Sequence, residues 1–443
     1  MKKILSAGIL FFALAELVYS QGYQFPLKIS ATKRYMVDQK ETPFFYNGDT
    51  GWKLFLKLDK KDALDYLVDR KKKKFNVIQT MLTGFKGEQN LDGVAPFADP
   101  EDFSTVNAVY YDHVDWVLRQ ADSLGLLVAI APLWSGCCGE GYGGKGAVGP
   151  SSFLFRNGPA KSRQFGEFVG KRFSKYQNII WIIGGDIDPY EDKETINALA
   201  EGIKMQAPHQ LHTFHASSSH SSTDVWENAT WLDVVMTYTY FRGFNRAWTQ
   251  DMPDVYELNY KEYVKTPPKP YFLGESMYEN PPDTFGTEIQ VRKQAYWSAL
   301  TGGCGNAYGS PMWDFKADWR KSLSLPGGNS MEHYFTFFNS KPWYKIVPDP
   351  EPKIIVEGAG EYASNDYAIA AADETGTFIV AYIPSGRLVK INTAEIRNKK
   401  LKASWYDPRT GNSKAIGNYT RGKVLSFKTP DQNDWVLFID SSK

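Results

Sequence analysis

The hydrophobic positions of the chain form two different patterns, which meet near Pro348. Before this point, short unbroken apolar runs alternate with segments whose apolar residues recur at helical spacing. Such β-branched runs are typical of strands that are buried on both faces of a parallel sheet. Eight runs with intervening helical segments predict a (β/α)8 TIM barrel, which we assign to residues 21–348. The predicted strands are 44–49, 76–82, 126–134, 178–186, 211–215, 232–240, 271–275 and 304–309.

Two of the helical segments have clear ends. Asp59 stands where an N-cap residue is expected, before a segment with apolar residues on one face. A later amphipathic segment that includes Tyr111 is closed by Gly125. A doubly wound open sheet is the alternative architecture. It is the weaker prediction, because no Gly-x-Gly-x-x-Gly motif opens a helix after the first strand.

The pattern changes after Pro348. Short alternating segments are separated there by Gly, Asn, Asp and Pro, and no helical period is present. This pattern predicts a small C-terminal antiparallel β-sandwich over residues 349–443.

The first 20 residues have the pattern of a signal peptide. Lys2 and Lys3 precede a mostly apolar run, and small residues follow where signal peptidase would cleave, near Ser20. We therefore expect an exported protein, periplasmic or extracellular, without a membrane span. Three cysteines, two of them adjacent, do not suit a disulfide framework. A net charge of +1 argues against a nucleic-acid partner, and the sequence leaves the oligomeric state open.

Two carboxylates follow buried strands directly. Asp186 ends the run Ile179 to Gly185, and Glu275 ends a second run after Gly274. Because barrel active sites lie at the carboxyl ends of the strands, both side chains should face the same mouth. Two carboxylates at such a site are sufficient for glycoside hydrolysis. We therefore predict a glycosidase with Asp186 and Glu275 as catalytic residues and an oligo- or polysaccharide as substrate.

Neighbouring carboxylates and aromatic residues complete the predicted site. Glu279 is the rival of Glu275 but lies farther from the buried run, whereas Asp188 precedes a proline and suits a cap. Residues at or just beyond the inferred strand ends are expected at the mouth, where we predict that about half contact the substrate. The predicted substrate-binding residues are Asp49, Trp52, Trp134, His215, Tyr238, Tyr240, Tyr278 and Trp313.

Other motifs lack essential parts. His212 and His215 should point to opposite faces of their strand, so we predict no catalytic metal. The glycine-rich segment 139–145 approaches a phosphate loop, but Gly146 stands where Ser or Thr is needed. No Gly-x-Ser-x-Gly motif is present, which argues against an esterase. We predict no cofactor.

The order of short motifs along the chain resembles the apiosidase-like glycoside hydrolases of gut Bacteroidetes. Each motif is weak alone, but together they fall at successive strand ends across nearly the whole chain. A later segment resembles the small β-domain that follows the barrel in those proteins and has been labelled collagen-binding. The motifs are 47–52 (NGDTGW), 181–186 (WIIGGD), 274–275 (GE), 278–279 (YE), 291–292 (VR), 296–297 (YW), 308–309 (YG), Trp313 and 405–411 (WYDPRTG).

This resemblance implies a retaining hydrolase with the acid/base after strand four and the nucleophile after strand seven. Asp186 and Glu275 occupy those places. Strand six departs from the pattern, since it reads Tyr238-Thr-Tyr240 where the family has Gln-Ser-Gly-His, so the sugar specificity stays open. A non-catalytic glycan- or matrix-binding protein on a decayed barrel is the alternative, and the retained pair of carboxylates argues against it.

Overall fold

The computed structural model describes residues 22–136, 141–143, 152–244, 252–280, 285–422 and 424–441. The predicted signal peptide, Cys137, Cys138 and most of the glycine-rich segment lie outside these ranges. Within them, no helix is long and apolar enough to cross a membrane.

A small antiparallel sheet precedes the barrel. Its strands, in the order β1-β2-β3, are β1 (Lys28–Ile29), β2 (Met36–Val37) and β3 (Pro43–Phe44).

Eight parallel strands then form the predicted barrel. Their order is β8-β7-β6-β5-β4-β12-β11-β10, with β10 packed beside β8 and a two-residue strand, β9, antiparallel to β10. All eight predicted strands are present, and the predicted fold is confirmed. The strands are β4 (Tyr46–Thr50), β5 (Val77–Met81), β6 (Leu127–Ala131), β7 (Ile179–Asp186), β8 (Leu211–Ser217), β9 (His220–Ser221), β10 (Val235–Tyr238), β11 (Tyr271–Glu275) and β12 (Gly305–Tyr308).

Helices surround this barrel. The second helix begins as predicted, because the Asp59 side chain accepts a hydrogen bond from the backbone N–H of Asp62. Gly125 has φ +64° just beyond the third helix, a conformation that favours glycine. The helices are α1 (Leu54–Lys57), α2 (Lys60–Lys72), α3 (Tyr110–Ser123), α4 (Phe153–Phe173), α5 (Lys193–Gln206), α6 (Ser222–Trp226), α7 (Val255–Tyr263), α8 (Glu288–Leu300) and α9 (Pro326–Asn339), with 3-10 turns at Pro311–Asp314, Trp319–Ser324 and Trp343–Lys345.

Alternation along the strands separates two cores. In β7, Ile180 and Ile182 pack inside the barrel, whereas Trp181 and Ile183 pack against the helices. Each strand is therefore buried on both faces, as its unbroken apolar run predicts.

The C-terminal region is the predicted β-sandwich of two antiparallel sheets. One has the order β13-β15-β16-β21-β18-β19 and the other the order β14-β17-β20. The first strand starts slightly before residue 349, so the sandwich sheet includes the end of the predicted barrel region. The strands are β13 (Ile346–Pro348), β14 (Ile355–Glu357), β15 (Ile369–Asp373), β16 (Phe378–Ile383), β17 (Leu388–Asn392), β18 (Lys400–Tyr406), β19 (Ser413–Thr420), β20 (Val424–Lys428) and β21 (Trp435–Ser441).

The sandwich packs against helix α8 of the barrel. Tyr296 of α8 stacks on Tyr382 of β16, with ring centroids 4.8 Å apart and an interplanar angle of 5°. Next to this stack, Arg292 donates from Nε and Nη2 to the two carboxylate oxygens of Asp434, at 2.8 and 2.9 Å. The Tyr382 hydroxyl donates to the same carboxylate at 2.9 Å. Barrel and sandwich thus share one buried core.

Candidate active site

A cavity of about 830 Å³ opens at the carboxyl ends of the barrel strands, and both predicted catalytic carboxylates line it. A cavity of this size suits a small-molecule ligand or a few sugar units. Six of the eight predicted substrate-binding residues also line it. They are Trp52, Trp134, Tyr238, Tyr240, Tyr278 and Trp313.

Asp186 reaches the cavity through an unusual turn at the end of β7. Gly184 and Gly185 have φ +87° and +143°, and Asp186 itself has φ +54°, which is rare for a residue with a side chain. A Cβ at position 185 would lie 2.5 Å from the ring of Trp134, so only glycine fits there. The side chains of Tyr238 and Trp134 face the Asp186 carboxyl and act to lower its pKa.

Glu275 ends β11, and its carboxylate forms a hydrogen bond with His215. The Nε2 atom of His215 lies 2.6 Å from Oε2 of Glu275. On the other side of the ring, Nδ1 accepts the backbone N–H of Asp186 at 3.2 Å. His215 is fully buried and does not line the cavity. The predicted role of His215 as a substrate ligand is therefore corrected: it contacts both carboxylate residues instead.

The two carboxylates perturb each other. Burial and the nearby negative charge of Glu275 raise the pKa of Asp186 from 3.8 to about 7. Burial lowers the pKa of His215, but the hydrogen bond to Glu275 and its charge outweigh this effect and raise that pKa above its usual value. Asp186 can therefore hold a proton near neutral pH.

Asp49 does not lie in the cavity. Tyr46 of the same strand points into the barrel, so Asp49, three residues later, points outward to α2. There it accepts a hydrogen bond from the Tyr66 hydroxyl at 2.5 Å and lies 3.6 Å from the Arg70 guanidinium. We therefore correct the prediction that Asp49 binds substrate: it is a buried partner of α2.

The two neighbouring carboxylates of the predicted site, Glu279 and Asp188, have structural partners. Glu279 accepts the backbone N–H groups of Gly327 and Gly328 at 2.9 and 3.1 Å, so its charge caps the N-terminus of α9. Asp188 exchanges hydrogen bonds with Ser217, from its own N–H to Oγ and from the Ser217 N–H to its Oδ1. Neither lines the cavity.

Residues outside the predicted set complete the cavity, and most of them carry no signal in the sequence. Apart from Met81, which ends β5, they lie in loops and 3-10 turns, and their spacing has no period. The additional lining residues are Met81, Phe85, Ser218, Phe244, Met277, Asn280, Pro311, Lys316, Asp318, Trp319 and Ser322.

Gln294 of α8 was also missed. It is fully buried, donates from Nε2 to the backbone carbonyl of Tyr240 at 2.5 Å, and accepts the backbone N–H of Met277 at 3.2 Å. Tyr240 and Met277 both line the cavity. The helix that contacts the sandwich therefore also joins the two loops that follow β10 and β11.

In the described part of the chain, Asp186, His215 and Glu275 also form the one group close enough to share a metal ion, with one donor atom from each within 4.8 Å of the others. The separation of 2.6 Å between His215 Nε2 and Glu275 Oε2 is that of a hydrogen bond. A metal would have to displace the proton between these atoms. The predicted absence of a metal stays a prediction.

A parallel eight-stranded barrel with two adjacent carboxylates at its mouth is an arrangement that glycoside hydrolases use. Comparison with known families specifies this class further. Residues 30–345 match the family described as "Apiosidase-like, catalytic domain", and residues 347–440 match "Putative collagen-binding domain of a collagenase". The chain belongs to the apiosidase-like glycoside hydrolases.

Solved structures agree with this family. A protein described as "Glycoside hydrolase" is 28% identical, with a TM-score of 0.82, over 94% of this chain and 97% of its own. A glycoside hydrolase family 5 from Bacteroides vulgatus ATCC 8482 is 26% identical, with a TM-score of 0.84, over 95% of each chain. A family 5 mannosidase from Rhizomucor miehei, 12% identical with a TM-score of 0.53 over 71% of this chain and 97% of its own, shares the fold alone. No curated protein matches.

Proposed function

We propose that this glycoside hydrolase cleaves O-glycosidic bonds with retention of anomeric configuration, using Asp186 as acid/base and Glu275 as nucleophile. The supporting observation is the short distance between the two groups: one carboxylate oxygen of each lies within 4.8 Å of the other. Retaining enzymes hold their carboxyl groups about 5–5.5 Å apart, whereas inverting enzymes need about 6.5–9.5 Å to admit a water molecule. The separation favours direct attack by a carboxylate.

The electrostatics of the site support these two roles. Asp186, with its pKa raised to about 7 by burial and by Glu275, can carry a proton to the departing glycosidic oxygen. Glu275 attacks the anomeric carbon as that bond breaks, and a covalent glycosyl ester forms. Asp186, now ionised, then takes a proton from water, whose oxygen attacks the anomeric carbon and releases Glu275.

The lining of the cavity supports a sugar substrate. Trp52, Trp134 and Trp313 present aromatic rings, which pack on the apolar faces of sugar rings, and Tyr238 and Tyr240 add hydroxyl groups. We propose a plant or host glycan as the natural substrate. The N-terminal pattern supports an exported enzyme that acts in the periplasm or outside the cell.

The decisive experiment combines a substrate screen with product stereochemistry. The purified protein is incubated with defined plant and host glycans and with aryl glycosides, and the first-formed anomer is followed by NMR. We expect retention of configuration. An inverted first product would refute the proposed mechanism.

The role of the acid is tested with Asp186→Ala. This variant should lose about 10²–10⁴-fold in activity on natural glycosides, the usual contribution of a general acid. It should lose less on an aryl glycoside whose leaving group needs no proton, and added azide should give a glycosyl azide of retained configuration. Equal losses on both substrates would exclude Asp186 as the acid.

A further inference from the structure

We infer that His215 is a positioning residue, which orients Glu275 for attack and joins it to the backbone of Asp186. This inference rests on the proposed roles of the two carboxylates. His215 is fully buried and does not line the cavity, so it acts through Glu275 rather than on the substrate.

The hydrogen bond to Glu275 has a defined direction. An ionised carboxylate only accepts hydrogen bonds, so His215 must donate its Nε2–H to Oε2 across the 2.6 Å separation. With Oε2 engaged, Oε1 is the oxygen that is left to attack the anomeric carbon. The side chain of Glu275 thereby loses the rotational freedom that would otherwise oppose a productive geometry.

The other edge of the same ring meets the backbone. Nδ1 of His215 lies 3.2 Å from the backbone nitrogen of Asp186 and 3.1 Å from the carbonyl oxygen of Ala216. Asp186 needs such support, because its φ of +54° is sparsely populated for residues other than glycine. One imidazole thus connects the ends of β7, β8 and β11.

Aromatic rings fix the imidazole in this orientation. The ring centroids of Trp134 and Tyr238 lie 4.9 and 5.0 Å from that of His215, each at an interplanar angle of 70°. Trp52 approaches a further edge at 6.2 Å. The titratable groups that face His215 are Glu275, Asp186 and Tyr238.

His212 provides a matched control. It lies on the same strand and is also fully buried, but it faces the helix layer and packs near Trp231 at 6.4 Å. Neither of its ring nitrogens has a hydrogen-bond partner among the residues that the structure describes. Replacement of His212 by phenylalanine therefore removes no hydrogen bond, whereas the same replacement at His215 removes those on both edges of the ring.

The experiment compares His215→Phe, His215→Gln and His212→Phe on the aryl glycoside that the wild-type protein cleaves fastest. We expect His215→Phe to lower kcat about 10²-fold, the loss that accompanies a misplacement of about 1 Å, with little change in KM. His215→Gln, whose amide can donate near the Nε2 position, should recover part of this loss. His212→Phe should stay within about threefold of wild type, since misplacement of reacting groups is not expected there. The melting temperature of each variant shows whether it is folded.

The pH profile separates positioning from general packing. His215 lowers the pKa of Asp186 electrostatically, so the basic limb of kcat/KM should move to higher pH in His215→Phe and not in His212→Phe. An unchanged basic limb together with near wild-type kcat in folded His215→Phe would overturn the inference.

A readout without substrate covers the case in which a variant folds poorly. In the wild-type protein, the buried His215 Nε2–H should give a downfield, slowly exchanging proton resonance in NMR, which moves upfield in Glu275→Gln. A wild-type spectrum without this resonance would contradict the inference. If the His215 variants are fully active while Glu275→Gln is inactive, only the role of His215 fails. An active Glu275→Gln would instead refute the proposed function.

Discussion

Two buried clusters of charged residues, one at the cavity floor and one at the barrel–sandwich interface, are stabilised to different degrees. At the interface, Asp434 accepts three hydrogen bonds, two from Arg292 and one from Tyr382. At the cavity floor, the carboxyl groups of Asp186 and Glu275 lie within 4.8 Å of each other, and the His215 imidazole forms a hydrogen bond with Glu275.

The two clusters differ in how completely positive charge compensates the buried carboxylates. A planar guanidinium with two parallel N–H donors compensates one carboxylate well, and the interface pair is bidentate. Within the described ranges, neither Asp186 nor Glu275 forms an ion pair with Lys or Arg, and the pKa of Asp186 rises to about 7 through burial and through Glu275. Incomplete compensation makes a carboxyl group useful as an acid.

The largest expected effect is that of Glu275→Gln. Without an attacking carboxylate, turnover should fall by at least ~10⁴-fold on every substrate, as for other enzymes that lose their nucleophile. The melting temperature should not fall, because the amide relieves the repulsion with Asp186. Steady-state rates and thermal unfolding test both parts. Turnover within tenfold of wild type would contradict the assignment.

The opposite result is expected at the interface for Arg292→Met. Breaking a buried ion pair by removing one partner costs about 3–5 kcal/mol, because it leaves an uncompensated charge. Activity per folded molecule should change much less, since Arg292 does not line the cavity. Denaturant unfolding and active-site titration measure the two quantities.

The double variant Arg292→Met/Asp434→Leu is the control for this prediction. It removes the stranded carboxylate, so it should recover part of the lost stability. If the double variant is less stable than wild type by the full sum of the Arg292→Met and Asp434→Leu changes, the pair is not the source of the loss.

The barrel was predictable because its strands carry a strong local signal. Ile180 and Ile182 face inward and Trp181 and Ile183 face outward, and an apolar run is the one pattern that satisfies both faces. Asp186 and Glu275 follow such runs directly, so their place at the mouth followed from the strand ends.

Side-chain direction was harder to predict from sequence. Asp49 and Glu275 both stand at strand ends, yet Asp49 points to α2 and Glu275 into the cavity, because one residue of register reverses the face. Glu279 was ambiguous for another reason: its partners, the N–H groups of Gly327 and Gly328, are 48 and 49 residues away. Loop residues such as Trp319 have no periodic pattern that indicates a cavity.

A smaller effect is expected for the stability of Asp186→Asn. The pKa of Asp186 is raised from 3.8 to about 7, so between these two pH values folding is accompanied by the uptake of a proton at Asp186. The free energy of unfolding of the wild-type protein therefore falls as pH rises through this range. Asparagine removes this dependence. At pH 8 the variant should therefore be more stable than wild type by on the order of 1 kcal/mol, and the advantage should shrink toward pH 4.

Unfolding curves at pH 4, 6 and 8 measure this difference. Arg292→Lys serves as the comparison at the interface, where a group that cannot form the bidentate pair should lower stability at all three pH values. A constant difference between Asp186→Asn and wild type across the pH range would show that Asp186 does not titrate as inferred.

The smallest expected effect is that of chelation. Asp186, His215 and Glu275 have the spacing of a metal site, but a proton between His215 Nε2 and Glu275 Oε2 accounts for their separation of 2.6 Å, and hydrolysis by two carboxylates needs no ion. Activity after dialysis against EDTA should therefore equal that of the untreated protein. Added Zn²⁺ should inhibit rather than activate, because it would compete for the same three donors and remove the nucleophile. A loss of activity with EDTA that a divalent ion restores would mean that the cavity floor is a metal centre, and that its charges are compensated as completely as those of the Arg292–Asp434 pair.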